Sequence, residues 1–167
     1  GPSDLYNGMP IALEYASTSG VPMASEVARA VAGALAEVGL TVELVGSDQP
    51  SFSLKLANSE IGGLYLNGWS PSVMDGDVVV NQILAGGPED YYDDAEMAEL
   101  YLEQQASEGQ ERLEVYERIW ELNDELSYQS PLYVNSSSYA VDPAVEWVPA
   151  VDGIFRATDV MLAGKKA

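Results

Sequence analysis

The chain has 167 residues, 47% of them hydrophobic, and its 27 acidic and 7 basic residues give a formal net charge of −20. This length fits one domain with one sizeable core, and the acidity argues against nucleic acid and anionic membrane surfaces as partners. The chain lacks cysteine and histidine, which excludes disulfides, thiolate catalysis, His-dependent serine triads and His-based zinc sites.

The first half of the chain predicts a βαβ unit. Residues 11–16 carry larger apolar side chains at every second position, which is typical of a strand. Apolar residues at helical spacing then predict a helix with Ser25 as its N-cap and Gly39 just past its end. Residues 41–45 form the next predicted strand, and two strands joined through a helix are expected to be parallel.

The middle of the chain continues this alternation. Residues 51–58 predict a short helix with Phe52 and Leu56 facing inward, and residues 62–66 predict a third strand. Asp77 is the predicted cap of a helix that ends before the Gly86-Gly87-Pro88 sequence. Another helix is expected to begin at Asp93-Asp94, because acidic residues favour the positive end of the helix dipole.

A long helix is predicted over residues 111–126. Its inward face is predicted to comprise the stripe of Leu113, Tyr116, Trp120 and Asn123, widened by Ile119, Leu122 and Leu126, which would make Trp120 a core residue. Short strands are expected at residues 131–134, 139–141 and 159–162 within an otherwise irregular final third. The whole pattern predicts a single α/β domain over residues 1–167, in which helices flank a mixed sheet.

The most informative segment is the loop that follows the third predicted strand. Ligands of open α/β sheets bind beyond the carboxyl ends of the strands, where such loops gather. We therefore predict a ligand-binding site formed by an indole, two hydroxyls and two carboxylates, namely Trp69, Ser70, Ser72, Asp75 and Asp77. The alternative for Trp69 is a core position under the loop. Its place directly after a buried strand favours the cleft, where its ring would stack on a sugar face, a peptide backbone or an apolar side chain.

The acidic residues allow several interpretations. For Asp75 and Asp77 we favour the capping of turns and helix starts, ahead of ligand or ion contact and of a catalytic pair for glycoside hydrolysis. The acidic cluster at residues 89–94 is interpreted as a solvated helix start rather than a cation site. A Ser–Lys enzyme is disfavoured because only three lysines are present, two of them in the terminal tail. We attribute the overall acidity mainly to solubility or adaptation to salt, with attraction of cationic ligands as the alternative.

The order of these features resembles the second lobe of the extracellular solute-binding proteins of peptide-type ABC transporters, the dipeptide, oligopeptide and nickel group. The likeness covers nearly the whole chain in order. It rests on residues 26–44, the Gly68-Trp69 pair, the Asp75-Gly76-Asp77 sequence, residues 112–119 and residues 130–133.

The resemblance implies a type II periplasmic-binding fold, of which this chain would be the C-terminal lobe cut from a longer parent. It also implies a non-catalytic protein, extracellular or periplasmic and anchored as a lipoprotein, that delivers peptides or related solutes to an ABC permease. Its partners would then be the ligand, the N-terminal lobe of the parent and the permease, and we expect no cofactor or metal. The first two residues, Gly1-Pro2, are typical of a protease remnant, with any export signal removed upstream. The isolated lobe is expected to bind weakly or not at all, because a cleft needs both walls.

One position departs from the family pattern. Peptide-binding relatives place an aspartate three residues after the tryptophan, where it pairs with the α-ammonium group of the ligand, and here that position is Ser72. A neutral hydrogen bond would be roughly half as strong. This predicts a ligand without a free N-terminal ammonium, such as an oligosaccharide or a capped peptide, or else a peptide that docks differently. A carboxylate-based glycoside hydrolase and the ligand-sensing module of a regulator remain as alternative functions.

Overall fold

The computed structural model describes residues 9–18, 21–70 and 74–163. Its main sheet has three strands, β1 (Ile11–Ala16), β2 (Val42–Ser47) and β3 (Leu64–Leu66), in the order β2-β1-β3. Both neighbouring pairs are parallel, which confirms the predicted βαβ arrangement. All three strands therefore end at the same edge of the sheet.

The central strand β1 is buried on both faces. Leu13 and Tyr15 pack against helix α1 (Ala24–Glu37), while Ala16, on the opposite face, packs against helix α2 (Gln49–Ala57). Successive side chains of a strand point to opposite faces, so the two helices must lie on the two sides of the sheet. These contacts confirm the α/β layers that the sequence predicts.

The ends of these two helices are set in different ways. Helix α2 begins at Asp48, whose carboxylate accepts a hydrogen bond of 3.0 Å from the Ser51 N–H. Helix α1 begins after Met23, which has a left-handed backbone and makes no side-chain cap, so the prediction of Ser25 as N-cap was wrong. Gly39 does end α1 as predicted: its φ is +88°, and its N–H donates to the Ala36 carbonyl.

Three helices form a second core beside the sheet. Helices α3 (Gly76–Leu84), α4 (Ala95–Ala106) and α5 (Gly109–Leu126) follow one another along the chain. Each of them contributes two buried apolar side chains to one cluster, which consists of Val80, Leu84, Met97, Leu100, Val115 and Ile119.

The buried face of α5 agrees with the predicted one only in part, at Ile119 and Asn123. Val115, Ile119 and Asn123 are buried, whereas Leu113 is 57% exposed and Trp120 is 42% exposed. Trp120 is therefore not a core residue. The helix carries apolar residues on adjacent stripes, and packing against α4 selects the one that holds the branched aliphatic residues.

The final part of the chain contains little regular structure. Two short strands, β4 (Val145–Glu146) and β5 (Met161–Leu162), pair antiparallel in a separate sheet, so parallel and antiparallel pairs occur in two sheets rather than in one mixed sheet. The second strand confirms the strand expected near residues 159–162, whereas residues 131–134 and 139–141 form no strand, contrary to prediction. Large apolar side chains stay exposed here, including Val134 and Val151, each 92% exposed. None of the helices in the described ranges combines the length and the apolar character needed to cross a membrane.

Candidate functional site

A cavity of about 310 Å³ lies where β3 ends. The loop of residues 67–70, which leaves β3, forms one wall. Helix α2 forms a second wall, and the end of α3 together with the turn that follows it forms a third. The residues that line the cavity are Gln49, Ser53, Leu56, Ala57, Asn67, Gly68, Trp69, Ser70, Gln82, Pro88 and Glu89.

A second cavity, of about 280 Å³, lies where β1 ends, and it is lined by residues 17–18 and 21–26. The two loops meet, because a Cβ atom added to Gly68 would lie 3.0 Å from a methyl carbon of Val21. The concave surface of the described structure thus follows the carboxyl edge of the parallel sheet, as expected for an open α/β sheet.

Trp69 and Ser70 both line the first cavity. Trp69 is partly buried and does not belong to the enclosed core, so its indole borders the concave surface. Ser72 lies outside the described residues. Binding of a ligand by these three side chains stays a prediction.

Glu89 supplies the negative charge of this cavity. Its carboxylate accepts hydrogen bonds from the Asn67 side-chain amide at 3.0 Å and from the Gln82 amide at 3.3 Å. The side-chain oxygen Oδ1 of Asn67 in turn accepts a bond of 3.0 Å from the Gly68 N–H. The orientation of the carboxylate is thus coupled to the loop that carries Trp69.

The turn between α3 and α4 places Glu89 in the cavity wall. The Gly87 N–H donates to the Asn81 carbonyl at 2.9 Å, and a Cβ atom at Gly87 would collide with that oxygen. The Asp90 carboxylate closes the turn by accepting a bond of 2.7 Å from the Gly86 N–H. Glycine is therefore required at position 87, because any side chain there would displace the backbone that leads to Glu89.

The two predicted carboxylates of the loop lie elsewhere. Asp75, not Asp77, is the N-cap of α3, and it accepts a bond of 2.9 Å from the Asp77 N–H. Asp75 also forms a two-pronged ion pair with Arg112, with distances of 2.7 and 3.1 Å. The Arg112 guanidinium, together with the backbone bond, lowers the pKa of Asp75 to about 2. Neither carboxylate is among the residues that line the Trp69 cavity.

Gln104 connects these groups from inside the protein. It is fully buried on α4, its amide nitrogen donates to Asp77 at 2.6 Å, and its amide oxygen accepts bonds from Arg112 at 3.1 Å and from Tyr116 at 2.9 Å. Because each carboxylate already has polar partners inside the protein, this network ties the start of α3 to α4 and α5. Its role in the described structure is therefore to fix the loop.

Local sequence patterns contain little sign of the partners of these acids. Arg112 lies 37 positions after Asp75, and Asn67 lies 22 positions before Glu89. The acidic residues 89–94 have different roles. Glu89 lines the cavity, whereas Asp94 caps α4 by accepting a bond of 2.9 Å from the Met97 N–H, as the predicted helix start requires. In the described ranges, no group of three or more acidic side chains is placed to hold a metal ion.

The positive charges of the described residues are all used in ion pairs. Lys55 contacts the buried Glu14 at 2.7 Å. The remaining basic residues contact other acids, in the pairs Arg29–Glu26, Arg112–Asp75, Arg118–Glu103 and Arg156–Asp152. Glu89 therefore has amide partners but no cationic partner within the described part of the chain.

The sequence matches no protein-family profile and no curated protein at a significant level. Solved structures do resemble the fold. AppA from Clostridium difficile, assigned provisionally as a peptide binding protein, has a TM-score of 0.61 and 17% identity over 75% of this chain and 26% of its own. NikA from Brucella suis, solved in complex with Fe(III)-EDTA, has a TM-score of 0.55 and 21% identity over 71% of this chain and 25% of its own.

These structural similarities establish the fold of the chain and the share of each solved structure that it spans. Helices flank a small parallel sheet, and this chain spans about a quarter of the length of each of the two structures. The chain has the fold of one lobe of a periplasmic binding protein.

Proposed function

We propose that this chain is the ligand-binding lobe of an extracellular solute-binding protein that delivers peptides or related small solutes to an ABC transporter permease. The observation that carries the proposal is the position of Trp69. Its partly buried indole borders a cavity at the carboxyl edge of a parallel sheet, in a fold shared with binding proteins. A flat aromatic surface beside hydroxyl and amide groups suits a small ligand with both apolar and polar parts.

The exposed apolar surface of the last third supports the idea of a longer parent. Tyr133, Val134, Val148, Val151 and Phe155 are all largely exposed, and monomeric proteins rarely leave so many large apolar groups in one segment uncovered. A second lobe that covers this segment would also supply the opposite wall of the cleft. Export of the parent and its anchoring as a lipoprotein belong to this proposal.

The carboxylate-based hydrolase has less support. A general acid needs a carboxyl that is protonated near the working pH, whereas the ion pair with Arg112 lowers the pKa of Asp75 to about 2. Asp77 accepts a bond from the buried Gln104. Turnover of a glycoside panel that disappears in Asp75→Asn would restore the enzyme hypothesis.

A ligand screen on the full-length parent tests the binding role. We expect a peptide or an oligosaccharide from a mixed panel to raise the melting temperature. We expect Trp69→Ala to lower its affinity by about tenfold, because stacking of a ligand on an aromatic ring contributes about 1 kcal/mol beyond the area it buries. Trp120→Ala is the matched control, since Trp120 lies on α5 outside the cavity. Equal losses in both variants would contradict the proposed site.

The genes beside the coding sequence distinguish transport from regulation. Permease and ATPase genes next to it would support delivery to a transporter. A DNA-binding or signalling domain in the same polypeptide would instead support the ligand-sensing alternative.

A further inference from the structure

We propose that the Trp69 cavity recognises a cationic group of the ligand, and that Glu89 is the residue that pairs with it. This inference rests on the proposed binding function and specifies the class of ligand: a peptide or amine with a free ammonium or guanidinium group next to an apolar part. Ser72 alone predicts a ligand without a free N-terminal ammonium. The proposal replaces that expectation, because Glu89 supplies a carboxylate to the cavity from a different part of the chain.

The first support is the unbalanced charge. Glu89 is the single ionisable side chain among the residues that line the cavity. The five basic residues of the described ranges all pair with other acids. A cation that enters the cavity therefore meets a carboxylate with no competing cationic partner among the described residues.

The second support is the fixed orientation of the carboxylate. Asn67 and Gln82 each donate one hydrogen bond, to different oxygens of Glu89. A carboxylate offers about four lone-pair positions, so two neutral donors leave room for further donors from a ligand. Because these amides hold the side chain before the ligand arrives, little conformational entropy is lost on binding.

The third support is the combination with an aromatic wall. Trp69, Leu56 and Pro88 line the same cavity as Glu89. An indole attracts a cation through its ring face and also covers the apolar part of the ligand. The cavity thus pairs one negative charge with apolar surface, which favours an amphiphilic cation over an uncharged sugar.

Phenylalaninamide and N-acetylphenylalaninamide are suitable probes, because they share the ring and the amide but only the first carries an ammonium group. Binding to the full-length parent, which supplies both walls of the cleft, can be followed by NMR through the indole N–H of Trp69 and the side-chain amides of Asn67 and Gln82. We expect saturable shifts with phenylalaninamide at millimolar concentrations and about threefold to tenfold weaker binding of the acetylated probe, as for a partly exposed charge pair. Added salt should weaken only the binding of the ammonium probe.

Glu89→Gln should abolish the difference between the two probes. Glutamine has nearly the same shape and keeps an acceptor oxygen for one of the two amide donors, although its NH2 group loses the bond to the other. Glu117→Gln is the matched control: it removes the same charge from an exposed position on α5, and it should leave the preference intact. This control separates local pairing from the general attraction of a chain with net charge −20.

The outcomes separate this inference from the proposed function. If both probes shift Trp69 equally, the cavity binds ligands but the preference for a cation is wrong. If Glu89→Gln retains the preference, another group recognises the cation and the assignment to Glu89 is wrong. If neither probe shifts Trp69 or its neighbours, both the cation preference and the use of this cavity for binding are wrong.

Discussion

Asp75 carries two structural tasks, the cap of α3 and the ion pair with Arg112, and two substitutions separate them. The Asp75→Asn variant can still cap the helix, because asparagine is as good an N-cap as aspartate. The Asp75→Ala variant loses both contacts. The Asp75 side chain is 44% exposed, so solvent screening limits the contribution of the ion pair.

The pKa of Asp75 determines how its contribution depends on pH. Its folded pKa of about 2 lies below the usual 3.8, so this contribution is complete above about pH 4 and is lost as the pH falls toward 2. We expect losses of about 1 kcal/mol for Asp75→Asn and about 2 kcal/mol for Asp75→Ala at pH 7. Urea unfolding at several pH values measures this. A difference between wild type and Asp75→Asn that stays constant from pH 5 to about pH 2 would contradict the role of the ion pair.

Gln104→Leu tests the buried polar network. The change keeps the size of the side chain but removes three hydrogen bonds, from Gln104 to Asp77 and from Arg112 and Tyr116 to Gln104. We expect a loss of about 2 kcal/mol in the free energy of unfolding, because two of the three lost bonds involve charged groups.

Gln105→Leu is the control for this change, since Gln105 is the exposed neighbour on the same helix. Its own bond to Asp77, at 3.3 Å, lies at the exposed surface, where water can replace it. The expected effect therefore stays within about 0.5 kcal/mol. Thermal and urea unfolding of the two variants should diverge clearly, and similar stabilities would show that the network contributes little.

At the scale of a single element, α5 shows which of its stripes holds the fold together. Ile119→Ala should cost about 3 kcal/mol, because it opens a cavity among fully buried side chains. Trp120→Ala should cost less than about 1 kcal/mol, although it removes a larger side chain, because Trp120 is 42% exposed. Chemical denaturation of both variants measures the contrast, and the reverse order would restore the core position predicted for Trp120.

Local patterns were sufficient where one helix or strand determines its own inward face. The spacing of Phe52 and Leu56 correctly predicted the buried side of α2, and Gly39 correctly marked the end of α1. Trp120 was misplaced because hydrophobicity along α5 does not reveal which side α4 covers. Single-sequence spacing cannot supply that choice, since it depends on a partner helix.

The candidate site was predictable only in part for the same reason. Trp69 and Ser70 follow a strand directly, so their place at the sheet edge could be read from the chain. Glu89 lies in the same cavity because of a glycine turn and a hydrogen bond with Asn67, which is 22 positions away in the sequence. Local spacing does not predict a contact between residues so far apart. The ion pair between Asp75 and Arg112 could not be predicted from local spacing either, because the two residues are 37 positions apart.

At the scale of the whole molecule, hydrogen exchange tests whether another lobe covers the last third of the chain. The amides of β1 lie between two paired strands and should exchange slowly, whereas residues 131–141 lie outside regular structure and should exchange quickly in this chain alone. In the full-length parent we expect the apolar positions of this segment to gain protection. Identical exchange in both proteins would contradict the proposed lobe contact.

Every described basic side chain is paired with an acid, and this limits the orientation in which a ligand can bind. A zwitterionic guest such as a free peptide has a carboxylate at its far end, and the described part of this lobe offers that carboxylate no cation that is not already engaged. If its amino end docks at Glu89, its carboxyl end must meet a cation outside the described residues, and we expect the proposed facing lobe to supply it. The orientation of the guest across the cleft would then be fixed before the two lobes close.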